Sequence, residues 1–565
     1  MKTKYVRLRR GETPGAIGIT RRDFLRMGGT GLAGAALLGT AACGVFQQGG
    51  QQEGGGGGET NESITINLGD TVKDLNSTTT TDTVSFDILL AVNEGLYRLD
   101  ENTQPQPAQA EGVEISDDKL THTFTLRDGI KWSDGSSVTA QDFEYAWLKA
   151  LDPETAGQYA YILSTFIEGA TEFNAGDGSR EDVAIKALDD KTLEVVLVSP
   201  SPFWLGLTSF FTYLPQKQEF VEQQGDNYAQ SKDALLYNGP YILSEFRPTE
   251  GVTLTKNQGY WDKGNVDIEK IEGTIVKELD TAVNLYESGE LDIVLLESQF
   301  VDEYEDSPEF FIQTFFATFY FAWNYEDPIF QNINIRRAIQ MGVDREAIAN
   351  EILNDGSPPA TGYVPDGLAG PGDQTFREAL GPTMPEYNPE EARRLFQQGL
   401  EELGGENPTI ELLSYDDSTA RDIATFMQSQ LEELGMKIDV KIQPFDRKLE
   451  LEANGEFQLS YQGWIADYND PMTFLDLWES ESPFNTQKYK NARYDQLIDQ
   501  AQTETDFARR MDLLLEAEKL LVEEDAALSA LYFEGQAVLK KPFIKNYVNQ
   551  PYGGGREFKL WEVEQ

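Results

Sequence analysis

The chain has 565 residues, 40% hydrophobic and 11% aromatic, which is apolar material for several cored domains and excludes a disordered polymer. Its formal charge is −50; the first 42 residues carry a net +6, so the remainder stands at −56, a surface that repels nucleic-acid phosphates and anionic lipid. One cysteine, Cys43, and one histidine, His122, exclude an internal disulfide and every metal site built on several Cys or His. A cationic or zwitterionic ligand suits such a charge, and so does a solvated acidic surface adapted to a saline habitat.

T-R-R-D-F-L-R, Thr20 to Arg26, precedes an apolar, small-residue run from Met27 to Ala42. Paired arginines, Arg21 and Arg22, ahead of such a run predict a twin-arginine-type export signal over residues 1–42. The run is too short and glycine-rich for a membrane span. Cys43 follows T-A-A in the manner of a lipidation motif, with Thr40 where that motif usually has leucine. It is the candidate site of lipid attachment. Residues 43–59 are Gly/Gln-rich and predict a flexible tether, reaching roughly 20–25 Å root-mean-square.

From Ser63 the pattern becomes regular. I-T-I-N-L alternates as a strand, and V-S-F-D-I-L-L-A-V-N-E-G-L reads as a helix ending near Gly95. Between Gly112 and Leu197 lie hairpin-like pieces with Asp-Gly turns. His122, in T-H-T-F-T-L, shares a strand face with Phe124 and Leu126 and reads as a packed residue, which leaves no partner for a Ser-His-Asp arrangement.

Two strand–helix–strand units follow, 271–276 with 291–296 and 409–415 with 437–442, and both imply parallel pairing. A helix opens at Pro389 with Ala392, Leu395, Phe396 and Leu403 inward. Phe507, Met511, Leu514 and Leu521 recur at helical spacing. Thr139 and Asp344 stand as helix caps.

The stretch G-W-I-A-D-Y-N-D-P, Gly463 to Pro471, sets Asp467 among Trp464, Ile465, Ala466 and Tyr468. An acid in apolar surroundings serves the fold, a catalytic step or a cationic ligand, and its neighbours do not decide which. Asp470 reads as a turn residue or a cap for a helix near Met472.

Several blocks together resemble the extracellular solute-binding proteins of peptide ABC importers, the oligopeptide- and dipeptide-binding family. They are N-E-G-L-Y-R-L-D (93–100), T-F-T-L-R-D-G-I-K-W-S-D-G-S-S-V-T-A-Q-D-F-E-Y-A-W (123–147), L-D-P-E-T-A (151–156), N-G-P-Y-I-L-S-E-F (238–246), N-I-R-R-A-I-Q-M-G-V-D-R-E-A-I (334–348) and G-W-I-A-D-Y-N-D-P. They occur in the family's order and span nearly the whole chain after the tether.

The resemblance implies an α/β, two-lobed periplasmic-binding-protein-like fold, with an additional domain inserted in the first lobe. A hinge would link the lobes and the ligand would lie in the cleft between them. Domain I would comprise 60–106, 231–317 and 534–565, domain II 107–230, and domain III 318–533. It implies a monomer without cofactor, metal or catalytic residues, held at the membrane by its lipid anchor, that hands oligopeptides to permease subunits.

Within that resemblance, Asp467 matches the aspartate that pairs with the peptide's α-ammonium, with Trp464 and Tyr468 bounding the site. Glu94 and Tyr159 match cleft residues, and Tyr532 is a further candidate; Glu94 reads equally as an acid near a helix end. Tyr461 stands where relatives carry an arginine for the carboxylate of a short peptide. An oligosaccharide binder of the same fold remains an alternative reading, and an exported hydrolase using two carboxylates a remote one.

Overall fold

The computed structural model describes residues 63–482, 484–552 and 555–564. Arg21, Arg22, Cys43 and the tether lie outside them. A ten-stranded sheet runs through both lobes. Its strand order is Lys437–Gln443, Thr409–Tyr415, Leu459–Ile465, Phe310–Trp323, Leu528–Lys540, Ile293–Leu296, Ser63–Asn67, Lys270–Thr274, Gly251–Lys256 and Tyr241–Arg247.

Two strands in the middle are far longer than the rest, Phe310–Trp323 with 14 residues and Leu528–Lys540 with 13. Each begins in one half of the sheet and ends in the other. Their antiparallel pairing breaks midway: Thr314 opposes Gly535 and Thr318 opposes Phe533, so Phe315, Phe316 and Ala317 face Glu534 alone. Surplus residues in one strand bend it. The break marks the passage between the lobes.

The first unit differs in adjacency from the sequence reading. Lys270–Thr274 and Ile293–Leu296 do not pair directly; Ser63–Asn67 lies between them, parallel to both. The central place is filled from far away in the chain. The second unit pairs directly, with Thr409–Tyr415 parallel to Lys437–Gln443 over seven positions.

Asn388 caps the helix Pro389–Glu402, whose Ala392, Leu395 and Phe396 are buried. Leu403 lies past its end and is 42% exposed, and Phe507, at the first position of its helix, is 40% exposed. Leu403 was expected inward, and Phe507 to share a face with Met511 and Leu514. Helical periodicity does not hold at a terminus, where the first or last turn overhangs the core.

A separate four-stranded antiparallel sheet contains Ala110–Ile115, Thr121–Leu126, Thr192–Val196 and Ile185–Ala187. His122 is buried on it beside Phe124, the rings 6.4 Å apart, and burial pulls its pKa down. No described helix is long and apolar enough to cross a membrane.

Gly463 permits a close packing contact next to the sheet break. A Cβ there would come within 2.7 Å of the Phe319 ring, which stacks on Tyr532 at 4.8 Å. Gly463→Ala therefore overpacks a filled layer. It should lower the unfolding free energy of the ligand-free protein by about 1–3 kcal/mol, measured by urea denaturation; an unchanged midpoint would show that Phe319 turns aside freely.

Candidate ligand-binding site

Asp467 begins where the strand Leu459–Ile465 ends. Phe316, in the sheet break, donates its N–H to the Pro551 carbonyl at 3.0 Å and accepts the Ala466 N–H at 2.7 Å. The bend in the sheet thus sets the backbone beside Asp467. Beyond it, Asp470 caps the short helix at Met472, accepting its N–H at 2.9 Å, and binds Arg510 through both oxygens at 2.6 and 2.9 Å. That buried, bidentate pair holds the loop from its far side.

The Asp467 carboxylate has no such cation among the described residues. Tyr161, from the region of the smaller sheet, donates its hydroxyl to Oδ1 at 3.1 Å, and Asp467 donates its own N–H to Thr473. Burial pushes its pKa up to about 7, against which the Tyr161 hydrogen bond acts only partly. Behind it, burial, Glu479 and Asp467 hold Asp476 well above the ordinary carboxylate range. The surroundings are short of positive charge.

Asp467 borders a void of about 10 Å³, shared with Ser209, Gln550 and Glu557 and closed by Leu90, Phe210 and Tyr552. This is space for one water-sized group. An ammonium group has that size, and its three donors suit a carboxylate that lacks a cation.

Tyr468, next to Asp467, stacks on Phe203 at 3.8 Å, a contact with the region of the smaller sheet. The other expected site residues are placed differently. Glu94 is 1% exposed and its carboxylate accepts from Arg98 at 3.2 Å, from Trp261 at 2.7 Å and from Tyr260, so it is committed inside the first lobe. Arg98 in turn holds Glu557 at 2.6 Å, which connects Glu94 to the void only indirectly.

Tyr159 packs in an aromatic core with Phe86 and Phe211, and its neighbour two residues on, Tyr161, reaches Asp467. Tyr461 and Tyr532 hydrogen-bond each other at 2.6 Å, and their rings pack with Tyr415 and Phe319. Aromatic packing thus takes up the position expected to face a ligand carboxylate. Trp464 meets Phe484 edge-on at 5.4 Å and does not border the Asp467 void.

A second space of about 1180 Å³ opens between the lobes. Asp70, Lys277 and Glu297 line it from the first lobe, Tyr415 and Arg421 from the second, and Gln536 from the crossing strand. The helix Thr83–Val92 borders both spaces, with Val84 at the large one and Leu90 at the small one. Six residues at 1.5 Å separate them by about 9 Å, the reach of about three residues of extended peptide.

One bent sheet shared by two α/β lobes, with a cavity between them and, in a separate small void, a carboxylate lacking a cation, defines a two-lobed solute-binding protein. The chain belongs to the bacterial extracellular solute-binding proteins of family 5, whose middle region matches residues 104–486. It is 34% identical over 473 residues to the dipeptide-binding protein DppE of Bacillus subtilis (strain 168), covering 83% of this chain and 86% of that one. Among solved structures it resembles the substrate-binding domain of an oligopeptide ABC transporter from Bacillus anthracis str. Ames, at 37% identity and TM-score 0.72, covering 89% of this chain and 99% of that one. Listeria monocytogenes OppA bound to peptide is similar at 34% identity and TM-score 0.71, with the same coverage.

A carboxyl whose folded pKa lies above its unfolded value near 3.8 contributes stability below that value and loses it as pH rises through the folded pKa, here about 7. Ligand-free protein should therefore lose stability between pH 5 and pH 8, at about 1.4 kcal/mol for each unit of raised pKa at most. Asp467→Asn should lose less and melt above wild type at pH 8. Parallel melting curves for the two across that range would show that Asp467 does not titrate there.

Proposed function

We propose that this protein captures oligopeptides with a free N-terminus between its two lobes and delivers them to the permease of an ABC importer. The observation carrying this reading is Asp467, a carboxylate without a cation beside a space of ammonium size. The peptide's α-ammonium enters that space and completes the ion pair. Tyr161 orients Oδ1, and Tyr468 on Phe203 keeps water out. The chain then runs beside the helix Thr83–Val92 into the large cavity.

The names of the relatives, which bind dipeptides and oligopeptides, support the ligand class. The role is capture and release without turnover, driven by preference of the ligand for the closed state. The lobes correspond to residues 60–106 with 231–317 and 534–565, and to 318–533, with 107–230 inserted. The protein works as a monomer, exported through the Arg21–Arg22 signal and anchored at the outer face of the membrane by a lipid on Cys43.

Ammonium binding requires Asp467 to ionise. Near pH 6.5, peptide binding to wild type should release a proton, read from calorimetric enthalpies in buffers of different ionisation heat. Asp467→Asn should abolish that release and weaken binding at least about tenfold, the worth of one charge-assisted hydrogen bond. Acetylating the peptide N-terminus should cost wild type as much or more and cost Asp467→Asn less, because both changes break one contact. Tight binding of acetylated peptide to wild type would overturn the assignment.

The anchor has its own test. Cys43→Ser should shift the protein from the membrane fraction to the soluble one while leaving its melting temperature unchanged. Continued membrane partitioning equal to that of the parent would refute lipidation at Cys43.

A further inference from the structure

Asp467 is not alone among buried acids without a cation. Glu534 occupies the single position that faces the three residues Phe315, Phe316 and Ala317 at the sheet break. Its Oε2 is buried with no hydrogen-bond partner among the described residues. The loop carrying Asp355 presses against the adjoining glycine: a Cβ on Gly535 would meet the Gly356 carbonyl oxygen at 2.3 Å, and Gly535 donates its N–H to Ser357 Oγ at 3.0 Å. Asp355 therefore adds like charge beside Glu534, and with burial it raises the Glu534 pKa well above the ordinary range.

Removing a carboxyl from water without a partner costs several kcal/mol unless it is protonated, and here no described side chain compensates it. Its place indicates what could. Glu534 lies along the strand between Gln536, which lines the large cavity, and Tyr532, whose ring layer continues to the cavity-lining Tyr415. The cavity wall itself carries seven Asp/Glu against four Lys/Arg, and two of those bases are already paired within it, Lys277 with Asp70 and Arg421 with Asp416. Tyr415 and Phe445, in edge contact at 5.2 Å, offer apolar surface for an alkyl stem.

We propose that Glu534 is a second ligand anchor, which accepts the charged end of a lysine or arginine side chain from a peptide held at Asp467. The preferred ligands are then oligopeptides with a basic side chain beyond the first residues, and a dipeptide is too short to use both anchors. This rests on the peptide reading above and goes beyond it in naming the ligand's side chain.

The test uses five-residue alanine peptides with a free N-terminus, in which each of positions 2 to 5 in turn is lysine or norleucine, an uncharged residue of similar length. Calorimetry on wild type should show one position where lysine binds about tenfold tighter than norleucine. In Glu534→Gln that ratio should fall to about one, while the norleucine peptides bind as before. Asp467→Asn should weaken both peptides together and keep the ratio, which separates this anchor from the ammonium site. Equal binding of lysine and norleucine peptides to wild type at every position overturns the proposal, whether or not the variant folds. So does a preference that survives Glu534→Gln. If no peptide of the series binds wild type, the peptide reading fails and this inference with it.

Discussion

A carboxylate withdrawn from water and given no cation is the interaction on which the rest of this structure depends. Asp467 is placed there by the backbone: the sheet break at Phe316 fixes Ala466, and the Asp470–Arg510 pair fixes the loop beyond. Nothing in these contacts relieves the charge at Asp467. The fold holds the carboxylate in an unfavourable state that a positive group of small size would relieve. That difference between the empty and filled states is what a binding protein needs, because a ligand shifts a conformational balance only by its differential affinity.

The surroundings sharpen this by what they withhold. Arg510 is spent on Asp470 and Arg98 on Glu557, so neither guanidinium reaches Asp467. Tyr161 donates a neutral hydrogen bond, which orients the carboxylate without cancelling its charge. Both Tyr161 and Phe203 come from the inserted region, so the extra domain contributes to closing the site as well as to the size of the first lobe. The excess of acids in the chain acts as a general negative field, which salt screens, whereas the buried Asp467 is screened far less.

Much of the fold was legible in the sequence, because alternation and helical spacing report which side of an element is buried. The parallel unit 409–443, the caps at Thr139 and Asp344, and the burial of His122 followed directly. Which strands lie side by side did not, since Ser63–Asn67 enters between two strands more than two hundred residues away. At the site, the motif around Asp467 was readable as an acid among aromatics, and its lack of a counterion was not. Tyr161 was missed for Tyr159 because a two-residue step in a helical turn moves a side chain to a different face, and only the packed rings show which face meets the second lobe. Glu94 and Tyr461 were read as ligand contacts from motif position; Arg98 is only four residues from Glu94, but the other partners, Trp261 for Glu94 and Tyr532 for Tyr461, come from distant segments that spacing does not connect.

The placement of Ser63–Asn67 and Leu528–Lys540 inside the sheet also bears on how the chain reaches this state. Thr65 hydrogen-bonds Asp292 across 227 residues, and the strand Leu528–Lys540 pairs with residues near 293 and near 310. Neither lobe is a contiguous stretch, so neither half of the sheet can finish before distant segments have met. Closing such large loops carries an entropy cost that is recovered only once the last strands dock, which slows folding and exposes unpaired strand edges meanwhile. An N-terminal fragment ending between the lobes would lack Leu528–Lys540, the partner of Ile293–Leu296, and would leave that strand edge open until the rest of the chain supplied it.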